Sequence, residues 1–244
     1  MLDKVANRKG RGGFRIDKIS DGNRACGFAW TWTCGDEEGL RGTTFVELND
    51  NGEIQYVQEI PEPIFKPGNL TKDLLKAVTA GAEPKVPVGY DKKTPTTASE
   101  IAKYLYVDLQ GAEQKDGLEE LLRFIDDGII YRDFNFEDVL RSPMEVQAFV
   151  EDFSFPGIEF RPVRFDDGVD TTCFTWEVIL EGAEDTIKGM SLYELDPESR
   201  KIIYIRDVPE SAIKPPILGT LARRFRPGLG VFQGVKLGSR PGGK

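Results

Sequence analysis

The sequence predicts an α+β protein built from two pseudo-symmetric copies of a curved, four-stranded antiparallel sheet. The main observation is an internal repeat, because long-period self-similarity marks a duplicated unit. Its landmarks Phe14, Arg15, Asp21, Gly22, Phe28 and Trp30 recur as Phe160, Arg161, Asp167, Gly168, Phe174 and Trp176, at a constant offset of 146. After two single-residue slips the match continues as far as Leu70 and Leu218. A second observation is that helical patterns precede only the second copy, so the first copy lacks packing helices.

Each copy is predicted to contain four strands joined by short turns. Aromatic and β-branched residues dominate the segments, and Asp-Gly and Asn-Gly pairs separate them, as in antiparallel hairpins. The predicted strands are 14–19, 26–33, 42–48 and 53–60 in the first copy, and 160–165, 172–180, 189–195 and 201–208 in the second. Pro61 and Pro209 then end the sheets, because proline cannot continue a hydrogen-bonded ladder.

Helices are predicted after the first sheet and before the second. Asn69 is a candidate cap for a helix over 70–80, and Pro216 opens a weaker equivalent over 217–225. Apolar residues at helical spacing predict helices over 98–109 and 118–127, and Ser142-Pro143 starts another over 143–153. The predicted organisation is therefore a first repeat with its trailing helix (1–80), a linker (81–97), a complete second repeat (98–227) and a Gly-rich basic arm (228–244).

Composition excludes several classes of function. The 244 residues carry a formal net charge of −9, three cysteines and no histidine. Without histidine there is no Ser-His-Asp or Cys-His system and no histidine-ligated metal, and three cysteines cannot make a four-cysteine zinc site. We therefore expect no cofactor and no metal. The odd number of cysteines favours a reducing compartment.

Charge and hydropathy limit the partners. No apolar run approaches the roughly 20 residues of a membrane span, and the basic N-terminus has no signal-peptide core. Residues 214–244 hold seven basic residues and no acid, on an otherwise acidic chain. Nucleic-acid binding is not favoured, because the aromatic residues lie in strands rather than among the basic ones. Docking of the basic ends on acidic surfaces of another copy fits as well.

The second copy resembles the cone-shaped nuclear-transport-factor-2-like and SnoaL-like superfamily, over about residues 100–210. Two runs carry the resemblance: Tyr131-Arg132-Asp133-Phe134 with Phe136-Glu137-Asp138, and Lys188-Gly189 with Tyr193-Glu194-Leu195-Asp196. The proline that often follows the first run is absent at Val139 and comes only at Pro143. The versions it looks most like are plastid and cyanobacterial proteins of unknown function. The resemblance implies the fold and a plastid stroma reached after removal of a targeting sequence.

The resemblance also implies a place for acid–base chemistry, inside the cone. Asp133, Asp138 and Arg161, helped by Tyr131, are the candidate catalytic residues, since burial among phenylalanines can raise a carboxyl pKa towards a working value. The alternative is that Arg132 and Arg161 pair with acids at the rim and Asp138 caps a turn.

Two regions are candidate interaction surfaces. Phe28, Trp30 and Trp32 share one face of the first sheet, which has no predicted helical cover, although such residues more often fill a core. The C-terminal arm adds the candidates Arg223, Arg224, Arg226, Leu229, Val231 and Phe232, which fit addition to a neighbour's sheet edge or a disordered tail equally.

These observations favour a non-catalytic structural or assembly protein. It would form a homo-oligomer, sheet or filament, or dock in a larger plastid complex, through its incomplete first repeat and basic ends. A structural protein of the pyrenoid-shell type suits this logic. The alternative is a small-molecule binder, or a carboxylate-based lyase or isomerase, that uses the cone of the second repeat.

Overall fold

Two sheets carry the fold, and each contains one copy of the repeated sequence. The computed structural model describes residues 12–63 and 65–210. The first sheet is an antiparallel meander in the order β1-β2-β3-β4. Its strands are β1 (Gly13–Ile19), β2 (Ala25–Cys34), β3 (Glu37–Leu48) and β4 (Ile54–Pro61).

The second sheet has five strands in the order β5-β9-β8-β7-β6. The strands are β5 (Ile125–Asp133), β6 (Ile158–Phe165), β7 (Thr171–Leu180), β8 (Ile187–Leu195) and β9 (Ile202–Pro209). Four helices accompany them in the described residues: α1 (Asn69–Val78), α2 (Ala98–Lys103), α3 (Gln114–Phe124) and α4 (Pro143–Phe153). A π-helical turn, Tyr104–Asp108, continues α2. The α+β class with two sheets is confirmed, and the second sheet has one strand more than predicted.

Local sequence explains where the helices start. Thr97 accepts a hydrogen bond from the Glu100 backbone and Glu100 returns one, which makes a capping box for α2. Ser142 caps α4, with Pro143 in its first turn. Helix α1 differs from the prediction: Asn69 is its first residue rather than its cap, and Gly68 precedes it with a φ of 58°. Glycine adopts that left-handed conformation without a steric penalty.

Strand β5 corrects the prediction of a four-stranded second sheet and of a helix reaching residue 127. Helix α3 ends at Phe124, and Ile125–Asp133 pairs in parallel with β9. The apolar stripe of α3 runs directly into Ile125, which hides the boundary in the sequence. Gly128 disfavours helix there, and Ile129 and Tyr131 are buried as strand residues. The partner strand lies some 70 residues further along the chain, so no local pattern shows the pairing.

The helices cover one face of the second sheet. Phe174, Trp176 and Tyr193 of this face form a buried core with Ile101 of α2 and Val146 of α4. Helix α1 follows the first sheet but contacts the second repeat: Lys72 pairs with Asp152 of α4, and the Gly68 backbone N–H donates to the Asn135 carbonyl.

The opposite face of the second sheet packs on the first sheet. Their shared core contains Ala25, Phe45 and Ile60 from the first repeat and Cys173, Met190 and Val208 from the second. Gly27 lies against the side chain of Cys173, its counterpart in the repeat. A Cβ at position 27 would lie 2.1 Å from the Cys173 sulfur, so this close approach requires glycine.

Contacts across this interface are reciprocal. Lys18 pairs with Glu194 and lies over the Tyr204 ring, while Arg164 pairs with Glu47 and lies over the Tyr56 ring. Each member of the first set is the counterpart of one in the second, at offsets of 146 to 148. Ser20 likewise donates to Asp166, its own counterpart. Such exchange of equivalent contacts is the property of an isologous interface.

Candidate functional site

Two carboxyl groups lie side by side where β5 and β9 end. Asp133 is in register with Asp207, and parallel neighbours in register point to the same face of a sheet. Burial, and then the charge of Asp207, raises the pKa of Asp133 from 3.8 to about 7. Burial raises the pKa of Asp207 to about 6. Both residues are half-buried.

A chain of hydrogen bonds fixes Asp207. The Tyr131 hydroxyl donates to one carboxyl oxygen at 2.6 Å, and Ser191 donates to the other at 2.5 Å. Ser191 in turn accepts from the Trp176 indole N–H at 2.8 Å. The bonds from Ser191 and Tyr131 lower the pKa of Asp207 and so oppose part of the effect of burial.

Three tyrosines surround the acid pair. The hydroxyls of Tyr106 and Tyr193 lie 2.5 Å apart, and Tyr131 is the donor to Asp207. Burial raises the pKa of all three, and the charge of Asp207 adds to that effect at each. They therefore stay protonated at physiological pH. Whichever of Tyr106 and Tyr193 donates to the other, the acceptor keeps its own hydrogen for another group.

Asp133 has a different environment from Asp207. Its carboxyl accepts the Asn135 backbone N–H at 2.7 Å. The charge of Lys66 also lowers its pKa, and the Lys66 ammonium lies 5.2 Å from the centre of the Phe134 ring. Lys66 follows the first sheet, so the first repeat contributes to this site. The buried side-chain oxygen of Asn135 accepts no hydrogen bond within the described residues.

The structure brings only part of the predicted acid–base set together. Tyr131 and Asp133 lie together at the acid pair, where Tyr131 donates to Asp207 and Asp133 is in register with it. Asp138 is exposed in the segment that follows β5. Arg161, on β6, pairs with Glu177 at 2.7 Å and is half exposed. Neither touches the acid pair.

Sequence reasoning missed Asp207, Ser191, Tyr106 and Tyr193. A signal for the first two was present in the repeat, because Ser191 and Asp207 match Thr44 and Glu59 of the first copy, and both positions preserve the chemical type. The two tyrosines have no such counterpart.

The first sheet contains the same chain of hydrogen bonds as the second. Trp30 donates to Thr44 at 3.0 Å, and Thr44 donates to Glu59 at 3.2 Å. Trp30 also lies over Gly42, as Trp176 lies over Gly189. A Cβ at Gly42 would lie 2.5 Å from the Trp30 ring, so each indole needs a glycine on the neighbouring strand. Glu59 is exposed, and no tyrosine donates to it among the described contacts.

The outer face of the first sheet is apolar and uncovered within the described residues. We call it the open face and define it by Phe14, Ile16, Ile19, Phe28, Trp32 and Val57, whose cross-strand pairing places them on one side. Phe14 is 66% exposed, Val57 54% and Trp32 37%.

Of the predicted interaction residues, Phe28 and Trp32 lie on the open face, and Trp30 is mostly buried beneath Phe14. The other six candidates, Arg223 to Phe232, lie outside the described residues.

Two clefts in the described residues lie apart from the acid pair. A cleft of about 520 Å³ is lined by Arg24, Lys103 and Arg164 among others, and one of about 610 Å³ lies between α3 and α4. The acid pair belongs to neither. No cluster of cysteine, aspartate and glutamate in residues 12–63 and 65–210 is placed to hold a metal ion. None of the helices described has the length and apolar character to cross a bilayer.

Comparison with known proteins finds similarity in solved structures alone. No protein-family profile matches the chain, and no curated protein matches it. A candidate isomerase of the SnoaL-like family from Agrobacterium tumefaciens is 18% identical over 46% of this chain and 95% of its own, with a TM-score of 0.38. An LEH-like epoxide hydrolase from M. tuberculosis is 14% identical over 52% and 99%, also with a TM-score of 0.38.

An NTF2-like protein of unknown function from Exiguobacterium is 18% identical over 41% of this chain and 87% of its own, with a TM-score of 0.33. The structural neighbours of about half the chain are thus NTF2-like and SnoaL-like domains. At these identities and TM-scores they assign neither a reaction nor a ligand to this chain.

Proposed function

We propose that the second repeat binds a small molecule at the acid pair and transfers a proton to or from it, as an isomerase or lyase does. The observation that carries the proposal is the side-by-side placement of Asp133 and Asp207, with pKa values of about 7 and 6. Paired carboxyl groups with strongly shifted pKa values are characteristic of acid–base centres.

The roles follow from the environment of each group. Both pKa values are raised towards neutrality, so the pair can accept and return one proton near physiological pH. A compound with an acidic C–H beside a carbonyl would lose that proton to a carboxylate. The free hydrogen of the Tyr106–Tyr193 pair would donate to the oxygen on which negative charge develops. Return of the proton at a second carbon completes an isomerisation, and loss of a leaving group completes an elimination.

Substituted phenols test the proposal, because a phenolate imitates the oxygen charge of an enolate. We expect 4-nitrophenol to bind, with a change in its absorption spectrum. While it is bound, the acid pair should no longer exchange its proton with solvent as the pH changes. Tyr193→Phe removes one hydroxyl and should weaken binding about tenfold, the effect of one hydrogen bond of about 1–1.5 kcal/mol.

The matched control is the equivalent chain of hydrogen bonds in the first sheet. Glu59→Gln and Thr44→Ala should leave phenol binding unchanged, because that sheet has no tyrosine pair. Binding that survives both Asp207→Asn and Tyr193→Phe, or that Glu59→Gln weakens equally, contradicts the proposal.

A second role, as a structural or assembly protein, is supported by the open face. Exposed apolar patches of this kind mark surfaces that bind partners, and Phe28 and Trp32 are part of it. The basic residues of 211–244, outside the described chain, would provide further contacts to acidic surfaces. A plastid location rests on the resemblance of the second repeat, and a shell-like assembly rests on the incomplete first repeat and the basic ends. Localisation of a fluorescent fusion tests the first, and electron micrographs of the purified protein test the second.

A further inference from the structure

The open face of the first sheet is large enough to form an interface. Phe14, Ile16, Ile19 and Val57 are each more than half exposed, and Trp32 adds over a third of its surface. Taking roughly 150–250 Å² for one whole aromatic side chain, these residues expose on the order of 500 Å² of apolar surface. A standard interface takes about 800 Å² from each partner, of which about 60% is apolar. The open face supplies that apolar share.

The charge pattern of this face favours an apolar, uncharged partner surface. The strand pairing places two charged side chains on it: Glu59 lies on β4, an edge strand, and Glu37 lies opposite Cys34 at the start of β3. At an edge a carboxylate can stay in contact with water, whereas a charge in the middle of an interface would be costly. A basic or acidic partner peptide would find little to pair with. A second copy of the same face matches it in both polarity and size.

The chain already uses twofold packing of these sheets. The inner faces of its two repeats pack together through reciprocal contacts, such as Lys18 with Glu194 and Arg164 with Glu47. The outer face of the second sheet is covered by α2 and α4, whereas within residues 12–63 and 65–210 nothing covers that of the first. We propose that two copies of this chain bind through their open faces, as a twofold-symmetric dimer in which the first sheets stack face to face.

Size measurement of the full chain tests the dimer. We expect sedimentation equilibrium to show twice the monomer mass, with dissociation on dilution. The double variant Phe14→Arg, Val57→Lys should be a monomer, because a dimer would have to bury two like charges from each copy. Both side chains are more than half exposed, so the variant should keep the circular dichroism and unfolding midpoint of the monomeric wild type. Met144→Lys, an exposed apolar position on α4, is the matched control and should remain a dimer.

A photo-crosslinking amino acid in place of Phe14 identifies what covers the face. We expect crosslinks between two chains, to residues of the open face. A wild-type chain that is monomeric at every concentration overturns the proposal, as does a double variant that stays dimeric. Crosslinks confined to residues 211–244 of the same chain overturn it as well. Phenol binding at the acid pair is independent of these outcomes, since Phe14 and Val57 lie on the other repeat.

Discussion

The outer faces of the two sheets share a plan but differ in their cover. Both have a tryptophan lying over a glycine of the neighbouring strand, and both have an indole, a hydroxyl and a carboxylate joined in a row. On the second sheet helices bury this row, and burial raises the pKa of Asp207 to about 6. On the first sheet the equivalent Glu59 is exposed. The strands provide the hydrogen bonds in both sheets. The helical cover of the second sheet buries its carboxyl group and so raises the pKa.

The same contrast appears in the apolar residues. Ile205 is 1% exposed, while its counterpart Val57 is 54% exposed. Phe160 packs against Tyr106 and Trp176, while its counterpart Phe14 is two-thirds exposed and contacts only the neighbouring tryptophans among the ring contacts described. Sheet sequence alone therefore does not distinguish a buried face from an exposed one. The helices that cover the second sheet account for the difference in exposure between equivalent residues.

The largest expected effect is a difference in how much the two outer faces contribute to the free energy of unfolding. Phe174→Ala removes a fully buried ring and should lower the free energy of unfolding by about 3–5 kcal/mol. Phe28→Ala, at the equivalent half-buried position, should cost less than about 2 kcal/mol when measured at dilution. Urea unfolding of both variants gives the two values. An equal loss would mean that the open face is as well packed as the covered one.

Local sequence predicted the strands of both meanders, because alternating residues, Asp-Gly turns and closing prolines act over short distances. Capping at Ser142 and the stripe of α3 were also visible. Strand β5 and the acid pair were not, since the contact between Asp133 and Asp207 joins residues over 70 positions apart. The repeat did contain a signal for part of the site, because it has an acid at both 59 and 207 and a hydroxyl at both 44 and 191. Lys66 could not have been placed near Asp133, because it arrives from the other repeat.

The second effect concerns pH. Because the pKa of Asp133 rises from 3.8 to about 7, the folded chain keeps a proton that the unfolded chain loses. The contribution of this group to stability is therefore present at low pH and lost as pH rises towards 7. Asp133→Asn removes the loss, and at pH 8 it should stabilise the fold by on the order of 1–3 kcal/mol relative to wild type.

Urea unfolding between pH 5 and pH 8 checks this, and the absence of histidine leaves few other groups titrating there. Burial also raises the pKa of Asp166, which is common to both proteins and cancels in the difference, and that of Asp207, which titrates in the same range beside Asp133. Glu59→Gln is the matched control on the open face and should leave the pH profile unchanged. If the two variants alter the profile equally, helical cover is not what sets the acid pair apart.

The smallest effect tests how alike the two repeats are at the interface they share. Lys18 with Glu194 and Arg164 with Glu47 are equivalent pairs, each about a third exposed, with the cation over a tyrosine ring. Partly exposed ion pairs contribute up to about 1 kcal/mol, so double-mutant cycles should give similar, small coupling energies for both. Salt should weaken both to the same extent, since their exposure is similar. A coupling found in one pair alone would show that the reciprocal contacts are equal in position but not in energy. The physical reason would be that Arg164 donates in a planar fork, whereas Lys18 acts as a point charge.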